Sequence, residues 1–431
     1  MTPRFDVTTD PSLVSWIDVP RGSDFPIQNL PYGVFRRSGD QAARLGVALG
    51  DRIVDLSLLA RGGLFDEELS EATRVLGSPS VNALLACGRP AWQAVRRRLS
   101  ALLSAGNREV LDAQIAESAF VPMRDAQLVL PLEVGDYVDF YSSREHASNL
   151  GKMLRPGGDP LLPNWRWLPV GYHGRASSIV VSGTPIERPS GQTKSADADA
   201  PAFGPTCMLD FELEIAFVTG EGPALGTPIG IERASEHIFG IALLNDWSAR
   251  DLQAWEYQPL GPFLSKSFAT SLSPWIVTLD ALEPFRAAGP PQEPPPLPYL
   301  AQAEAGNYDV GLAVELETAA MRGAKLFPQT IARTNFRAMY WSMAQQLAHM
   351  TSNGARVRAG DLCASGTISG SDRASYGSLI ELTWRGTRPL ALADGSTRTF
   401  LENGDTVTLR GSCDRRGAVH IGLGDVSGTI G

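Results

Sequence analysis

Cysteine is scarce and scattered. The 431 residues hold four, Cys87, Cys207, Cys363 and Cys413, with no C-x-x-C pair among them. A thiolate zinc site and a disulfide framework are therefore not expected, and free thiols in a reducing cytoplasm fit best. No apolar run approaches the roughly 18 residues of a membrane helix. The amino terminus, MTPRFDVTTDPSLVSW, also lacks the basic-then-apolar order of a secretory leader. Positive charge is in deficit: 38 Lys and Arg against 47 Asp and Glu leave a net charge of -9. That balance argues against nucleic acid or an anionic membrane as the partner, but it does not exclude a small anionic substrate, which meets only the local field. No repeat of 20–50 residues is visible. The expectation is a soluble, cytoplasmic, globular protein.

Turn-forming residues, by contrast, are plentiful, with 43 Gly and 31 Pro. In FPIQNLPYGVF and RLGVALGDRIVDL, Gly50-Asp51 lies between two alternating runs and reads as a hairpin turn. Residues 57–118 then turn helical. From Arg89 to Ala105, Pro90 sits in a first turn while Trp92, Val95, Leu99, Leu102 and Leu103 recur at helical spacing. The Arg96-Arg97-Arg98 run there reads as the solvated face of that helix. Residues 1–125 are expected to form an amino-terminal domain of strands and helices. Over 126–431, short runs punctuated by Gly and Pro predict a large, mainly antiparallel β domain: AQLVLPLEV, SSIVVSG, DFELEIAFVTG, IFGIALLNDW, SPWIVTLDAL, VGLAVELE, GSLIELTWRG and DTVTLRG. Helices are expected near Arg233–His237, Ser248–Tyr257 and Phe336–Met350. The proline-rich stretch 284–298 reads as an exposed loop.

Polar chemistry concentrates between Gly135 and Arg175. Strand alternation puts Tyr137, Asp139 and Tyr141 on one face, and His146 follows. A histidine is the side chain best suited to take a proton from water near neutral pH, although taken singly His146 is more often structural. Glu212 and Glu214, about 7 Å apart on one strand face, have the oxygen chemistry for a hard cation, against the blander reading of a solvated acidic face. Asp246 ends an otherwise apolar run, where a carboxylate needs a cation or amide donors. Ser248 is a candidate helix cap, with Arg250, Gln253 and Tyr257 on one face of the helix it opens. Lys266 lies among small hydroxyl residues. The glycine-rich SGTISG lacks the lysine of a phosphate-binding loop, so nucleotide binding is not supported, and Thr367 within it is a candidate to bond a ligand oxygen. Glu381 falls in the alternating run Leu379-Ile380-Glu381-Leu382-Thr383, read as a strand.

Several of these segments together resemble the fumarylacetoacetate hydrolase family: FPIQNLPYGVF, GDYVDFYSSREHA, LLPNWRWLPVGYHGRASSIVVSGTPI, LDFELEIAF, NDWSARDLQAWEYQPLGPFLSKSF and ASGTISG. The resemblance runs along nearly the whole chain. It implies a β-rich α+β fold, with a small SH3-like amino-terminal domain, a large mixed β-roll carboxyl-terminal domain and a homodimer. It implies a metal-dependent hydrolase that cuts a carbon–carbon bond of a small β-diketo acid, at the end of tyrosine, phenylalanine and homogentisate catabolism, using Ca2+ or Mg2+. Matched by motif, Asp139, Glu212, Glu214 and Asp246 correspond to metal ligands, and Lys266 with Thr270 to a second, magnesium-type site. His146 corresponds to the base, Glu381 to its orienting carboxylate, and Arg250, Gln253 and Lys266 to oxyanion donors. Tyr141, Arg155, Tyr172, Gln253, Tyr257 and Thr367 correspond to substrate contacts. Ala269 departs from the family pattern where glycine is expected, and a positive φ there would strain it. Other members of the superfamily reuse such an acidic site, and a non-catalytic calcium-binding β module would also explain the carboxylates, though not His146 with Lys266.

Overall fold

A computed structural model of the chain describes residues 3–65, 69–303 and 306–431. The helical pattern expected over 57–118 therefore includes three positions, 66–68, outside the described residues. The amino-terminal part contains β1 (Tyr32–Arg37), β2 (Arg44–Leu49), β3 (Arg52–Asp55), α1 (Gly88–Leu103), β4 (Phe120–Pro122) and β5 (Ala126–Val129). The strands form one antiparallel sheet in the order β4-β3-β2-β1-β5. Gly50, at φ +60°, makes the turn between β2 and β3, a conformation glycine adopts without steric cost. AQLVLPLEV thus opens with a strand of the amino-terminal sheet and not of the larger one.

Helix α1 packs Trp92, Val95, Leu99, Leu102 and Leu103 into the core as its spacing predicts. The arginine run departs from expectation. Arg96 is buried, donating to the carbonyls of Asn29 and Gln28 at 2.6 Å each and to the Thr8 hydroxyl at 2.9 Å. It is not on a solvated face, because the 28–29 loop brings acceptors over it.

The rest of the chain contributes β6 (Tyr137–Phe140), α2 (Arg144–Leu154), β7 (Gly171–His173), β8 (Ile179–Val181), β9 (Leu213–Thr219), β10 (Ile238–Asp246), α3 (Arg250–Glu256) and β11 (Thr270–Leu272). Then follow β12 (Gly311–Glu317), β13 (Gln329–Asn335), α4 (Met343–Thr351), β14 (Leu362–Ala364), α5 (Leu379–Leu382), β15 (Thr406–Cys413) and β16 (Ile421–Thr429). The central sheet runs β7-β6-β14-β9-β10-β11-β8, with Val277–Thr278 also pairing β10. Its pairs are antiparallel except β6 with β14 and β8 with β11. A second sheet has the order β13-β12-β15-β16.

Both faces of the central sheet are covered, which explains why β9 and β10 are apolar on both sides. Ile215, Phe217, Ile241 and Leu243 share one core with the second sheet, including Leu409 and Val426. Ala216, Val218, Ala242 and Leu244, the alternate residues, pack in a core with the amino-terminal domain. The architecture is the expected mixed, β-rich α+β arrangement of a smaller amino-terminal and a larger carboxyl-terminal part.

Four local readings are corrected. GSLIELTWRG holds no strand: Leu379–Leu382 is the short helix α5. Ser248 does not cap α3 but lies in a strand pair with Leu209–Asp210, leaving Ala249 at the cap position. The helix expected over 336–350 splits into a 3-10 turn at Phe336–Ala338 and α4, which Ser342 and Gln345 start with a capping box. The segment near 233–237 is a 3-10 turn, Ala234–His237. The proline-rich stretch is an exposed loop only in part: Pro284 and Phe285 are buried in a 3-10 turn and Arg286–Ala287 pairs with Asn307–Tyr308, while in the loop beyond them the Gln292 amide donates to the Tyr340 carbonyl at 2.7 Å.

Candidate active site

The site lies at one end of the central sheet. Alternation carries Asp139 of β6, Glu214 of β9 and Asp246 of β10 to the face that the amino-terminal domain covers elsewhere. There the alanine at β14 position 364 pairs with Asp139 on one side and Ala216 on the other, leaving space beside the acids. Glu212 precedes β9 on the same face. Carboxylate oxygens of Asp139, Glu212, Glu214 and Asp246 lie within 4.8 Å of one another, and all four residues are buried. The reading of Glu212 and Glu214 as a solvated face is thereby set aside.

One ammonium reaches this cluster: the Lys266 Nζ donates to Glu212 and, at 2.8 Å, to Asp246 Oδ2. Thr270 Oγ1 donates to Asp246 Oδ1 at 2.9 Å, and Tyr172 donates to Asp246 Oδ2 at 3.0 Å. Asp139 Oδ1 and Glu214 Oε1 are buried with no hydrogen-bond partner. Burial, and then the charge of Asp246 on Asp139 and of Asp139 on Glu214, pushes both carboxyls well above their ordinary range. Burial also opposes ionisation of Glu212, but Lys266 and Arg250 outweigh it and hold that carboxyl below its usual value. Lys266 is desolvated as well, yet Asp246 and Glu212 keep it protonated. An excess of buried carboxylate, with two oxygens unpaired, is the donor set of a hard divalent cation. These residues fit such an ion. Ala269 does not have a positive φ, so the expected backbone strain there does not arise; the left-handed non-glycine residues among those described are Leu30, Gln114, Lys325, Trp384 and Arg385.

Beside the acids stands an imidazole. Ser143 caps α2 by accepting from the His146 amide, which sets His146 in the first turn. His146 Nδ1 lies 2.6 Å from Glu381 Oε2. Glu381 also accepts from Asn149 at 2.9 Å, Ser369 at 2.8 Å and Ser378 at 2.7 Å. Burial opposes the charge on Glu381, but His146, Asn149 and Ser378 hold its carboxyl below the ordinary value. An acceptor so placed fixes the hydrogen on Nδ1 and leaves the Nε2 lone pair facing outward, 3.9 Å from Glu212 Oε1.

A cleft of about 400 Å³ opens over the acids and the imidazole. Asp139, Glu212, Lys266 and His146 form its floor, with Arg250 and Gln253 beside them. Arg250 donates to Glu212 Oε1 at 2.7 Å and to Gln253 Oε1 at 3.1 Å, so the Gln253 amide nitrogen keeps its hydrogens for another partner. Tyr141, Arg155, Tyr172, Tyr257 and Thr367 complete the polar wall, and Leu150, Leu154 and Ile380 the apolar one. Tyr141 meets the His146 ring edge to face at 5.3 Å, and Thr367 Oγ1 is buried without a partner. Glu214, Asp246, Thr270 and Glu381 stand behind this lining. Every residue matched to a catalytic, substrate or metal role is thus in or directly behind one cleft.

Several residues escaped the sequence reading. Asn149, Ser369 and Ser378 fix Glu381, and Asp210 braces Arg250 at 2.8 Å. Asn149 lies three residues after His146 on α2, a helical neighbour that spacing alone makes visible. The others meet their partners only through the fold. Arg385 at the cleft edge gave no signal at all.

With this geometry in place, comparison with known proteins is informative. Residues 28–131 match the model of the fumarylacetoacetase N-terminal domain, and residues 137–430 match the fumarylacetoacetate hydrolase C-terminal domain. Among curated proteins, the chain is 50% identical to the fumarylacetoacetase of Homo sapiens and 49% identical to that of Arabidopsis thaliana. Each match spans 97% of this chain and 98% of the relative. A solved fumarylacetoacetate hydrolase from Exiguobacterium antarcticum, 19% identical, superposes with a TM-score of 0.51 over 93% of this chain and 99% of its own, which is a likeness of fold. By identity, coverage and both domain matches, the chain belongs to the fumarylacetoacetate hydrolase family.

Proposed function

We propose that the protein is a metal-dependent hydrolase that cleaves the carbon–carbon bond of 4-fumarylacetoacetate, giving fumarate and acetoacetate. The observation that carries this reading is the meeting, in one cleft, of an imidazole held by a buried carboxylate with four acids that need a cation. Relatives at about half identity along the whole chain are named for the same activity.

Breaking a carbon–carbon bond by hydrolysis requires an attacking water, a stabilised oxyanion and a leaving carbanion. When bound by Asp139, Glu212, Glu214 and Asp246, a hard divalent ion supplies the Lewis acidity that lets a β-diketone carry negative charge. His146 Nε2 takes the proton from water, while Glu381 holds the Nδ1 hydrogen and stabilises the imidazolium that results. Water then adds to the carbonyl next to the fumaryl arm. Arg250, the Gln253 amide and Lys266 face that carbonyl and donate to the oxyanion as it forms. A well-placed donor of this kind contributes roughly 3–4 kcal/mol. Collapse expels the acetoacetate carbanion, which takes the proton back from the His146 imidazolium and so restores the base. Tyr141, Arg155, Tyr172, Tyr257 and Thr367 hold the ends of the substrate, and Lys266 and Thr270 lie where a second, magnesium-type ion would bind. The same reading makes the protein a cytoplasmic homodimer that uses Ca2+ or Mg2+ in the last step of tyrosine, phenylalanine and homogentisate breakdown. No helix among the described residues is long and apolar enough to cross a membrane.

Incubation of metal-replete protein with fumarylacetoacetate, following loss of its ultraviolet absorbance, tests the activity. Turnover that disappears on chelation and returns with calcium or magnesium is expected, and a metal-replete protein that leaves the absorbance unchanged refutes the reading. Sedimentation at micromolar concentration checks the dimer.

A further inference from the structure

Asp210 is fully buried, and four hydrogen-bond donors converge on its carboxylate from three separate elements. Its Oδ1 accepts from the amides of Phe211 at 2.8 Å and Leu379 at 2.7 Å. Its Oδ2 accepts from the Ile380 amide at 3.1 Å and from Arg250 Nε at 2.8 Å. Leu379 and Ile380 open α5, the helix that carries Glu381, and they lie about 170 residues further along the chain. Ser378 makes no side-chain cap for this helix, because its hydroxyl is turned to Glu381, so Asp210 takes over the cap from outside. A single carboxylate therefore bolts the guanidinium beside the oxyanion position to the helix that orients the base.

We propose that Asp210 is a positioning residue for the reaction, acting through Arg250 on one side and Glu381 on the other. Arg250 spans two carboxylates: Nε is fixed by Asp210, one terminal nitrogen by Glu212 and the other by Gln253. Three anchors leave the planar guanidinium no rotation, so its face toward the cleft is preset. Without the Asp210 anchor, the guanidinium turns about its bond to Glu212, and α5 loses acceptors for its first two amides. The defect falls on the transition state, where the oxyanion and the imidazolium exist, and less on substrate binding, which other residues supply. This inference rests on the hydrolase reading above.

The test is steady-state kinetics of Asp210→Asn on fumarylacetoacetate, with metal binding measured by calorimetry on the same samples. Asparagine matches the shape but turns an amide toward Arg250 Nε or toward the α5 amides. A fall in kcat of about tenfold to a hundredfold with KM within about twofold is expected, at unchanged calcium affinity. Equal kcat in a folded variant, or a change confined to KM, overturns the assignment. Arg250→Lys, which keeps Asp210, guards against a variant that does not fold: a lysine cannot span Asp210 and Glu212 together, so kcat is expected to fall as far as in Arg250→Ala. Retention of kcat within about threefold in Arg250→Lys also overturns it. Wild-type protein that fails to turn over the substrate overturns the hydrolase reading first, and the two failures are thereby distinguished.

Discussion

Replacing Glu214 by glutamine should stabilise the metal-free protein and abolish its response to calcium. The Glu214 carboxylate shares a buried space with Asp139, Glu212 and Asp246, with ligand oxygens within 4.8 Å. Two unit charges at that separation repel by about 3 kcal/mol at an effective dielectric of about 20. Lys266 offsets part of the repulsion, and proton uptake by Asp139 and Glu214 relieves more. A net gain of about 1–3 kcal/mol is therefore expected on removing one charge, or about 1–3 °C in melting temperature for a chain of this length. Glutamine keeps the bond from the Gly366 amide through its own oxygen, 2.9 Å in the parent, and its amide nitrogen can donate to the unpaired Asp139 Oδ1. The sign of the pH dependence follows from the same shifts. Asp139 and Glu214 hold protons more tightly folded than unfolded, so their contribution to the metal-free protein is complete below the ordinary carboxylate pKa and is lost as pH rises through their raised folded values. Metal competes with those protons, so calcium affinity should rise over the same window and binding should release protons, measurable by calorimetry in buffers of different ionisation enthalpy. The assay is thermal denaturation in chelator and in calcium. A Glu214→Gln protein that melts below wild type in chelator, or gains as much as wild type from calcium, refutes the reasoning.

Three further outcomes are expected. His146→Ala should lose essentially all turnover while staying folded and keeping calcium affinity close to wild type, because the acids are separate residues; substantial residual hydrolysis would remove the base assignment. Glu381→Gln should lower kcat by about a hundredfold or more through loss of the Nδ1–H orientation, with KM little changed, and an unaltered pH–rate profile would count against the pair. Arg96→Met should cost about 2–4 kcal/mol by leaving the Gln28 and Asn29 carbonyls unpaired, seen as a lower melting temperature in holoprotein with kcat preserved; a shift under one degree would show that the buried guanidinium is not needed there.

Local pattern was legible wherever an element's environment is set by its own period. The turn at Gly50, the apolar stripe of α1, the alternation that places Asp139, Glu212 and Glu214, and Asp246 at the end of a run buried on both sides can all be read along the chain. Residue chemistry then narrows what such a set can do, and motif resemblance supplied the partners. Legibility stopped where a distant segment supplies the missing group. Leu379–Leu382 alternates like a strand, yet it is buried all round, where periodicity carries no information, and Asp210 caps it as a helix across about 170 residues. Arg96 reads as solvated because charged runs usually are, but two carbonyls from 67 and 68 residues upstream cover it.

The sequence alone determined which side chains this protein has for proton transfer and cation binding, and on which strand faces they lie, because a backbone period of two acts over neighbouring residues. That the four acids close to within 4.8 Å, that Glu381 reaches His146 across 235 residues, and that Arg250 is locked between Asp210 and Glu212 were decided only by the tertiary structure. Strand pairing and core packing set those distances, and they are properties of segments that meet in space with no fixed spacing in the chain.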